Sequence, residues 1–415
     1  MKFLVYGINF PPDVVGIAKY TGEMCEWLKR RGHDVRVVTA PPYYPAWRIG
    51  AGYRAYRYSR ERVAVSGSGS LDVWRCPLWV PVQPTGLSRL LHLASFAISS
   101  FPVLVRQVAW RPDVVFVVEP TLCCVPAALL CARLSGSKAW LHVQDLEVDA
   151  AFNMGLLPNG PASRMAFAVE RWLIRRFGRI STISEAMRDK VIGKGAASSR
   201  VCLFPNWVDV SNIKPTLRAS AFRAELGLSG STRVALYAGN LGEKQGLELL
   251  VEAAERLQYR DDVVFVIAGN GSGRQRLEKS AEGLPNIRFL PLQPVERLNE
   301  LLNLADVHLL PQRADAADLV MPSKLTGMVA SGRPVVATAA PDTQVGKVVA
   351  GCGVLVEPGD GAGFADAIMA LLDDDQRRSA LGAAARLYAE TNLAQDAVMA
   401  RFVQEAEEVA GCATS

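Results

Sequence analysis

Residues 2–40 read KFLVYGINFPPDVVGIAKYTGEMCEWLKRRGHDVRVVTA. KFLVYG is a short apolar run of the kind that forms a strand covered on both faces, the 19–31 stretch is helical in pattern, and HDVRVVTA resumes as a second strand. A strand, a helix and a strand in succession predict a right-handed crossover between parallel strands. The alternation recurs at DVVFVVEP and AWLHVQD, then at GRISTISEAM and VCLFPNWVD. Periodicity is lost over 210–231, which carries Pro215 and reads as a linker. It restarts with VALYAGNLGEKQG, VVFVIAGNGSGR, IRFLPLQP, DVHLLPQR, RPVVATAA and GVLVEPGD, each followed by a helical stretch. The expectation is an α/β chain of two Rossmann-like, doubly wound parallel-sheet domains at 1–212 and 213–395. A C-terminal helix at 396–415 can pack back on the first.

A length of 415 residues suits two domains of about 200 residues each. With 50% hydrophobic and 21% charged residues the chain is neither disordered nor fibrous. Its net charge of +5 is uneven: residues 1–212 carry 26 Lys+Arg against 15 Asp+Glu, net +11, and residues 213–415 carry 20 against 26, net −6. The front half should favour anionic surfaces. Lys2 leads straight into FLVYG and a Pro-Pro turn, so no secretory signal is expected. The charge-free stretch 90–105 holds His92, three serines and Pro102, is short for a span of roughly 20 residues, and reads as a buried or interfacial helix. The eight cysteines form no C-x-x-C pair, which suggests neither zinc site nor disulfide framework and fits a reducing cytoplasm.

Paired doubly wound domains bind ligands in a cleft at the carboxyl ends of their strands, so chemistry is expected in the loops after those strands. Gly16 precedes a helix whose free N–H groups favour a phosphate or a sugar oxygen. AGNLGEKQG offers Gly239 and Lys244, and AGNGSGR offers Gly271, without P-loop or dinucleotide spacing. Before the helix that starts near Ser323, a polar loop carries Arg313; Lys324 follows the serine. Ser323 is a plausible N-cap, and the cations could neutralise phosphate charge.

Together, the Pro-Pro-x-x-x-G loop, RGHDV, the His142 segment, STIS, FPNWVD, AGNLGEKQG, AGNGSG and PSKLTGMVASGRPVVAT resemble glycosyltransferase family 4 over essentially the whole chain. HVQDLEVDAAF and PQRADAADLVMPSKLTGM look most like its exopolysaccharide branch, typified by the colanic-acid transferases. The resemblance implies the GT-B fold, a nucleotide-sugar donor, retention at the anomeric carbon and no metal. GDP-fucose is the first donor it suggests. The acceptor would be a polyprenyl-diphosphate-linked saccharide, reached by a cytoplasmic enzyme resting on the inner membrane surface.

Carried over, the family's donor contacts fall on Gly16, Lys244 and Arg313. Asn240 stands where the family usually has Arg, and the two family glutamates are replaced by Leu319 and Gly327. Asp315 or Asp318 could supply a substitute carboxylate. His142, Asp145 and Glu119 follow or end strands and are the catalytic candidates. The 41–62 stretch, PPYYPAWRIGAGYRAYRYSRER, holds five of the ten tyrosines, Trp47 and five arginines, which makes Tyr43, Tyr44 and Trp47 candidate acceptor contacts. Nucleic acid is not an expected partner, since no recognised binding module accompanies this stretch and the rear half is acidic. Over 163–177, Arg164, Arg171 and Arg175 share a helix face and suit an anionic leaflet. A same-fold epimerase and a non-catalytic sugar-nucleotide binder remain the alternatives.

Overall fold

The computed structural model describes residues 1–13, 16–83, 85–119, 122–146, 148–149, 160–216, 220–242, 245–313 and 323–411. The chain divides into two compact units, one of Met1–Pro205 with the chain from Met399 onward, the other of Asn206–Val398.

In the first unit, β1 (Lys2–Tyr6), β2 (Asp34–Thr39), β3 (Ser59–Val65), β4 (Gly69–Arg75), β5 (Val114–Glu119), β6 (Lys138–Val143), β7 (Arg179–Thr182) and β8 (Val201–Leu203) form one sheet. Its order is β3-β4-β2-β1-β5-β6-β7-β8. All pairs are parallel except the β3-β4 hairpin at the edge. Every residue of β5 is buried, which is why its sequence, VVFVVE, does not alternate. Tyr6 lies opposite Val38 and Val117, so the loops after β1, β2 and β5 leave from one edge.

Helix Gly86–Val108 covers this sheet with one side. Phe96 and Leu104 are buried, the hydroxyls of Ser100 and Tyr6 are 2.6 Å apart, and Gln107 accepts a 2.9 Å hydrogen bond from Arg36. By length and composition the segment Ser88–Val108, with a hydropathy of 1.4, could cross a membrane, but these polar ties bind its inner side to the sheet. Its outer side leaves Leu91, Ile98, Phe101 and Val105 exposed.

The last helix, Gln395–Ala410, begins in the second unit and ends in the first. There Phe402 stacks on Phe204 at 4.6 Å and meets Trp140 at 5.0 Å and Phe116 at 5.3 Å.

In the second unit β9 (Arg233–Ala238), β10 (Val263–Ala268), β11 (Ile287–Leu290), β12 (Val307–Leu310), β13 (Val335–Thr338) and β14 (Gly353–Val356) form a wholly parallel sheet. Its order is β11-β10-β9-β12-β13-β14. The direction of winding reverses between β9 and β12, the place at which sheets of this kind bind ligands. The 210–231 stretch belongs to this unit rather than spanning a gap: Ile213 and Phe222 are buried. Arg386 donates to the carbonyls of Val210, Ile213 and Ala330 at 2.8–2.9 Å, and that side-chain anchoring is invisible to periodicity.

Candidate functional site

The second unit gathers much of the expected donor set where β9 and β12 part. Tyr237, near the end of β9, donates its hydroxyl to the Asn240 carbonyl at 2.7 Å and so folds the loop back. Lys324 Nζ donates to the Tyr237 hydroxyl at 3.0 Å and to Gln245 Oε1 at 2.5 Å, and lies 4.7 Å from the Tyr237 ring centre. A Cβ on Gly239 would press on the Lys324 side chain at 3.3 Å. At Gly246 a Cβ would meet the Gln312 backbone at 3.2 Å, so the loops after β9 and β12 touch there. Gly239, Asn240, Gln245, Gln312 and Lys324 therefore converge, with the first turn of helix Ser323–Ala330 beside them.

Arg313 is carried by the same loop, but its guanidinium is half exposed and pairs with Glu248 at 3.7 Å. Ser323 stands at the start of the described part of its helix, and its carbonyl accepts from Thr326 Oγ1 at 2.6 Å. Gly271 serves another purpose than the one expected. A Cβ there would strike the Leu241 backbone at 2.5 Å, so its lack of side chain lets the two glycine loops pack on each other. A Cβ built on Gly327 would come 3.2 Å from Leu302 Cδ1. Lys244, Asp315 and Asp318, with Leu319, lie outside the described residues.

In the first unit Gly16 begins helix Ile17–Arg30 with φ 49°, a left-handed conformation that favours glycine. Among the described residues nothing lies within 4 Å of a Cβ built on it. Glu119 ends β5 and is buried. Asp145 reaches the surface after β6. Desolvation by its surroundings raises its carboxyl pKa, the Asp149 charge adds to this, and a hydrogen bond from the Leu146 backbone opposes it.

His142 is corrected from a catalytic to a core residue. It is 3% exposed; Nδ1 sits 2.9 Å from Ser181 Oγ and Nε2 3.0 Å from the Gln144 amide. Its ring stacks on Phe116, and burial holds its pKa down at about 3. Proton transfer at neutral pH needs an accessible nitrogen that titrates nearby, and this ring has neither.

The aromatic stretch divides by burial. Tyr43 is buried, whereas Tyr44 is 42% exposed and Trp47 half-buried. The Trp47 ring centre lies 5.7 Å from Tyr43 and 6.5 Å from Tyr44, edge on. Tyr44 and Trp47 can present faces to a sugar; Tyr43 supports them. Two of the arginines in this stretch have structural work on the edge strand β3, where Arg60 pairs with Asp72 at 2.9 Å and packs on Trp74, and Arg62 approaches the same carboxylate.

Sequence reasoning missed Tyr237, Gln245 and Gln312 at the donor loops, and two charged groups in the first unit. Arg75 is buried at the end of β4 and donates to the carbonyls of Pro11 (2.5 Å) and Ala40 (3.0 Å), tying the loops after β1 and β2 together. Lys194 bridges Asp149 and the fully buried Glu170, bracing the chain beyond Asp145. A charged residue at the end of a strand and next to the apolar CPLW was the only signal for the first; the second had none.

Residues 15–207 match the family described as "Glycosyl transferase 4-like domain", and residues 232–374 the one described as "Glycosyl transferases group 1". The chain is 45% identical over 419 residues to the Escherichia coli (strain K12) protein named "Putative colanic acid biosynthesis glycosyl transferase WcaI", covering 98% of this chain and 99% of that one. The chain belongs to the family 4/group 1 glycosyltransferases. Another relative of this glycosyltransferase is D-inositol 3-phosphate glycosyltransferase of Nocardia farcinica, 32% identical over 60% of this chain and 59% of its own. Among solved structures, sucrose-phosphate synthase from Thermosynechococcus elongatus matches with a TM-score of 0.74 at 16% identity, covering 99% of this chain and all of that one. Anabaena HepE in complex with UDP-glucose matches at 0.66 and 17%, covering 98% and all of its chain. At such identities the likeness speaks for the fold, which is GT-B.

Proposed function

We propose that this glycosyltransferase moves a sugar, with retention, from a nucleotide-sugar donor to a polyprenyl-diphosphate-linked saccharide during exopolysaccharide assembly at the cytoplasmic face of the membrane. The observation that carries the donor reading is the convergence of Lys324 with Gly239, Asn240, Gln245 and Gln312 where the loops after β9 and β12 part. A fixed ammonium beside open loop backbone stabilises the charge that grows on a leaving diphosphate, the step a retaining transfer without a protein nucleophile most needs. The diphosphate itself can then take the acceptor proton. Lys244 and Arg313 would add charge to the same group. Gly327 has no side chain to grip a ribose, so ribose contacts would come from other residues.

The name of the E. coli relative supports the polysaccharide assignment. Helix Pro161–Ile174 supports the membrane assignment: Met165, Val169 and Trp172 are 68%, 47% and 54% exposed along one side, flanked by exposed Arg164, Arg171, Arg175 and Arg176. Apolar side chains that enter the interface, with cations beside them, suit an anionic leaflet.

The deciding experiment incubates the protein with a panel of nucleotide sugars, GDP-fucose first, and membrane extract as acceptor. Released nucleoside diphosphate identifies the donor, and the anomeric configuration of the product tests retention. An inverted product, or release abolished by EDTA and restored by magnesium, would overturn the metal-free retaining scheme.

A further inference from the structure

A cavity of about 560 Å³ lies in the second unit, on the opposite edge of the sheet from the donor loops. Asp306, just before β12, lines it together with Arg333, just before β13, and with one side of helix Asp375–Tyr388. Asp306 Oδ2 accepts a hydrogen bond from the Val234 backbone at 2.8 Å, which ties this wall to the start of β9. The donor loops leave the other ends of β9 and β12. The four residues of β12 hold the two places about 13 Å apart.

Most of the charges around the cavity engage one another. Asp375 pairs with Arg233 at 3.0 Å and with Arg378, whose guanidinium also donates to the Leu371 and Leu372 carbonyls at 2.8 and 2.7 Å. Arg386, besides its three carbonyls, pairs with Glu390 at 2.6 Å. Arg333 is the exception. It is half-buried on the cavity wall, makes no ion pair among the described residues, and its Nε is buried with no hydrogen-bond partner among them.

A buried donor left without a partner is rare and costly in native proteins. The fork of N–H groups on a guanidinium matches a planar carboxylate, which can accept two of them side by side. The three carboxylates on the same walls limit the charge such a ligand can carry: one unpaired cation balances one negative charge, and a dianion would be repelled. Those carboxylates also accept hydrogen bonds from hydroxyls, and exposed Leu387 with Pro215 supplies an apolar wall for C–H groups. We propose that this cavity binds a small hydroxylated monocarboxylate, of the sugar-acid class, with its carboxylate on Arg333 and its hydroxyls toward Asp375 and Glu390. The site lies within the second unit, apart from the donor loops, and does not rest on the donor or acceptor readings above.

Titrations of the full chain with D-glucuronate, D-glucose and D-glucose 6-phosphate, followed by saturation-transfer NMR with UDP and GDP present to occupy the donor loops, test this. Glucuronate should bind at least about tenfold more tightly than glucose, which lacks the charge, and more tightly than glucose 6-phosphate, which carries too much. Its binding should be the same when UDP and GDP are left out. Arg333→Gln removes the charge at a partly exposed position and should weaken glucuronate about tenfold or more, with UDP and GDP affinity, read by calorimetry, held within about twofold. Ser379→Asp, at an exposed position on the cavity wall, provides a second variant if Arg333→Gln does not fold; its added negative charge should weaken glucuronate as well. Absence of a glucuronate signal from the unaltered protein, displacement of glucuronate by UDP or GDP, equal or tighter binding of glucose or glucose 6-phosphate, or unchanged binding in folded Arg333→Gln would overturn the proposal. Failure of the unaltered protein to bind UDP or GDP counts against the donor assignment alone.

Discussion

Lys324 is held by the Tyr237 hydroxyl, the Gln245 amide and the Tyr237 ring face, so its ammonium is fixed before any ligand arrives. A pre-placed cation loses little entropy on binding a diphosphate, and a charge-assisted contact is worth about 1.5–3 kcal/mol. Lys324→Met should weaken nucleoside diphosphate binding by roughly ten- to hundredfold in calorimetry. Arg313→Ala should cost less, because that guanidinium is half exposed and already shared with Glu248. His142 makes a different prediction. Burial keeps its ring neutral down to about pH 3 in the fold, whereas the unfolded chain takes up a proton near pH 6.5. Its contribution is complete above 6.5 and lost as pH falls, by about 1.4 kcal/mol per unit. His142→Gln should flatten the fall in stability measured by urea unfolding between about pH 6 and 4. An unchanged slope would mean that His142 is already charged in the fold.

At the scale of elements, helix Pro161–Ile174 shows how one segment serves two surfaces. Glu170 and Leu173 turn inward, where Lys194 meets the buried carboxylate, while Met165, Val169 and Trp172 turn out. The spacing of its arginines was legible in the sequence; the apolar residues they flank could not be assigned to the outside without knowing where the sheet lay. Trp172→Glu with Met165→Glu should abolish co-sedimentation with anionic vesicles at low salt, and raised salt should weaken binding of the unaltered protein. Equal binding of both proteins would exclude this helix from the contact. The glycine loops carry a similar lesson. Gly269 and Gly271 look from sequence like phosphate cradles, but a Cβ on either would collide with the neighbouring loop at 1.9 and 2.5 Å.

At the scale of the molecule, the C-terminal helix completes the core of the unit in which the chain begins. Phe402 fills a space among Phe3, Phe116, Trp140 and Phe204. Phe402→Ala should cost about 3–5 kcal/mol, read from denaturant unfolding. A cost below about 1 kcal/mol would mean that the helix docks through its ion pair, Arg179 with Glu405, instead.

The repeated alternation of largely apolar strands with helices was sufficient in the sequence to determine two mainly parallel sheets, because a strand buried on both faces favours apolar residues and its crossover admits one hand, but it did not show the antiparallel β3-β4 hairpin at the edge of the first sheet. The loops that carry Gly239 and Arg313 were legible for the same reason: they must follow strand ends. Tertiary structure alone decided that His142 faces the core and that Tyr43 supports rather than displays. Each depends on which residues distant in the chain exclude water from a side chain, and no local pattern of residues encodes that.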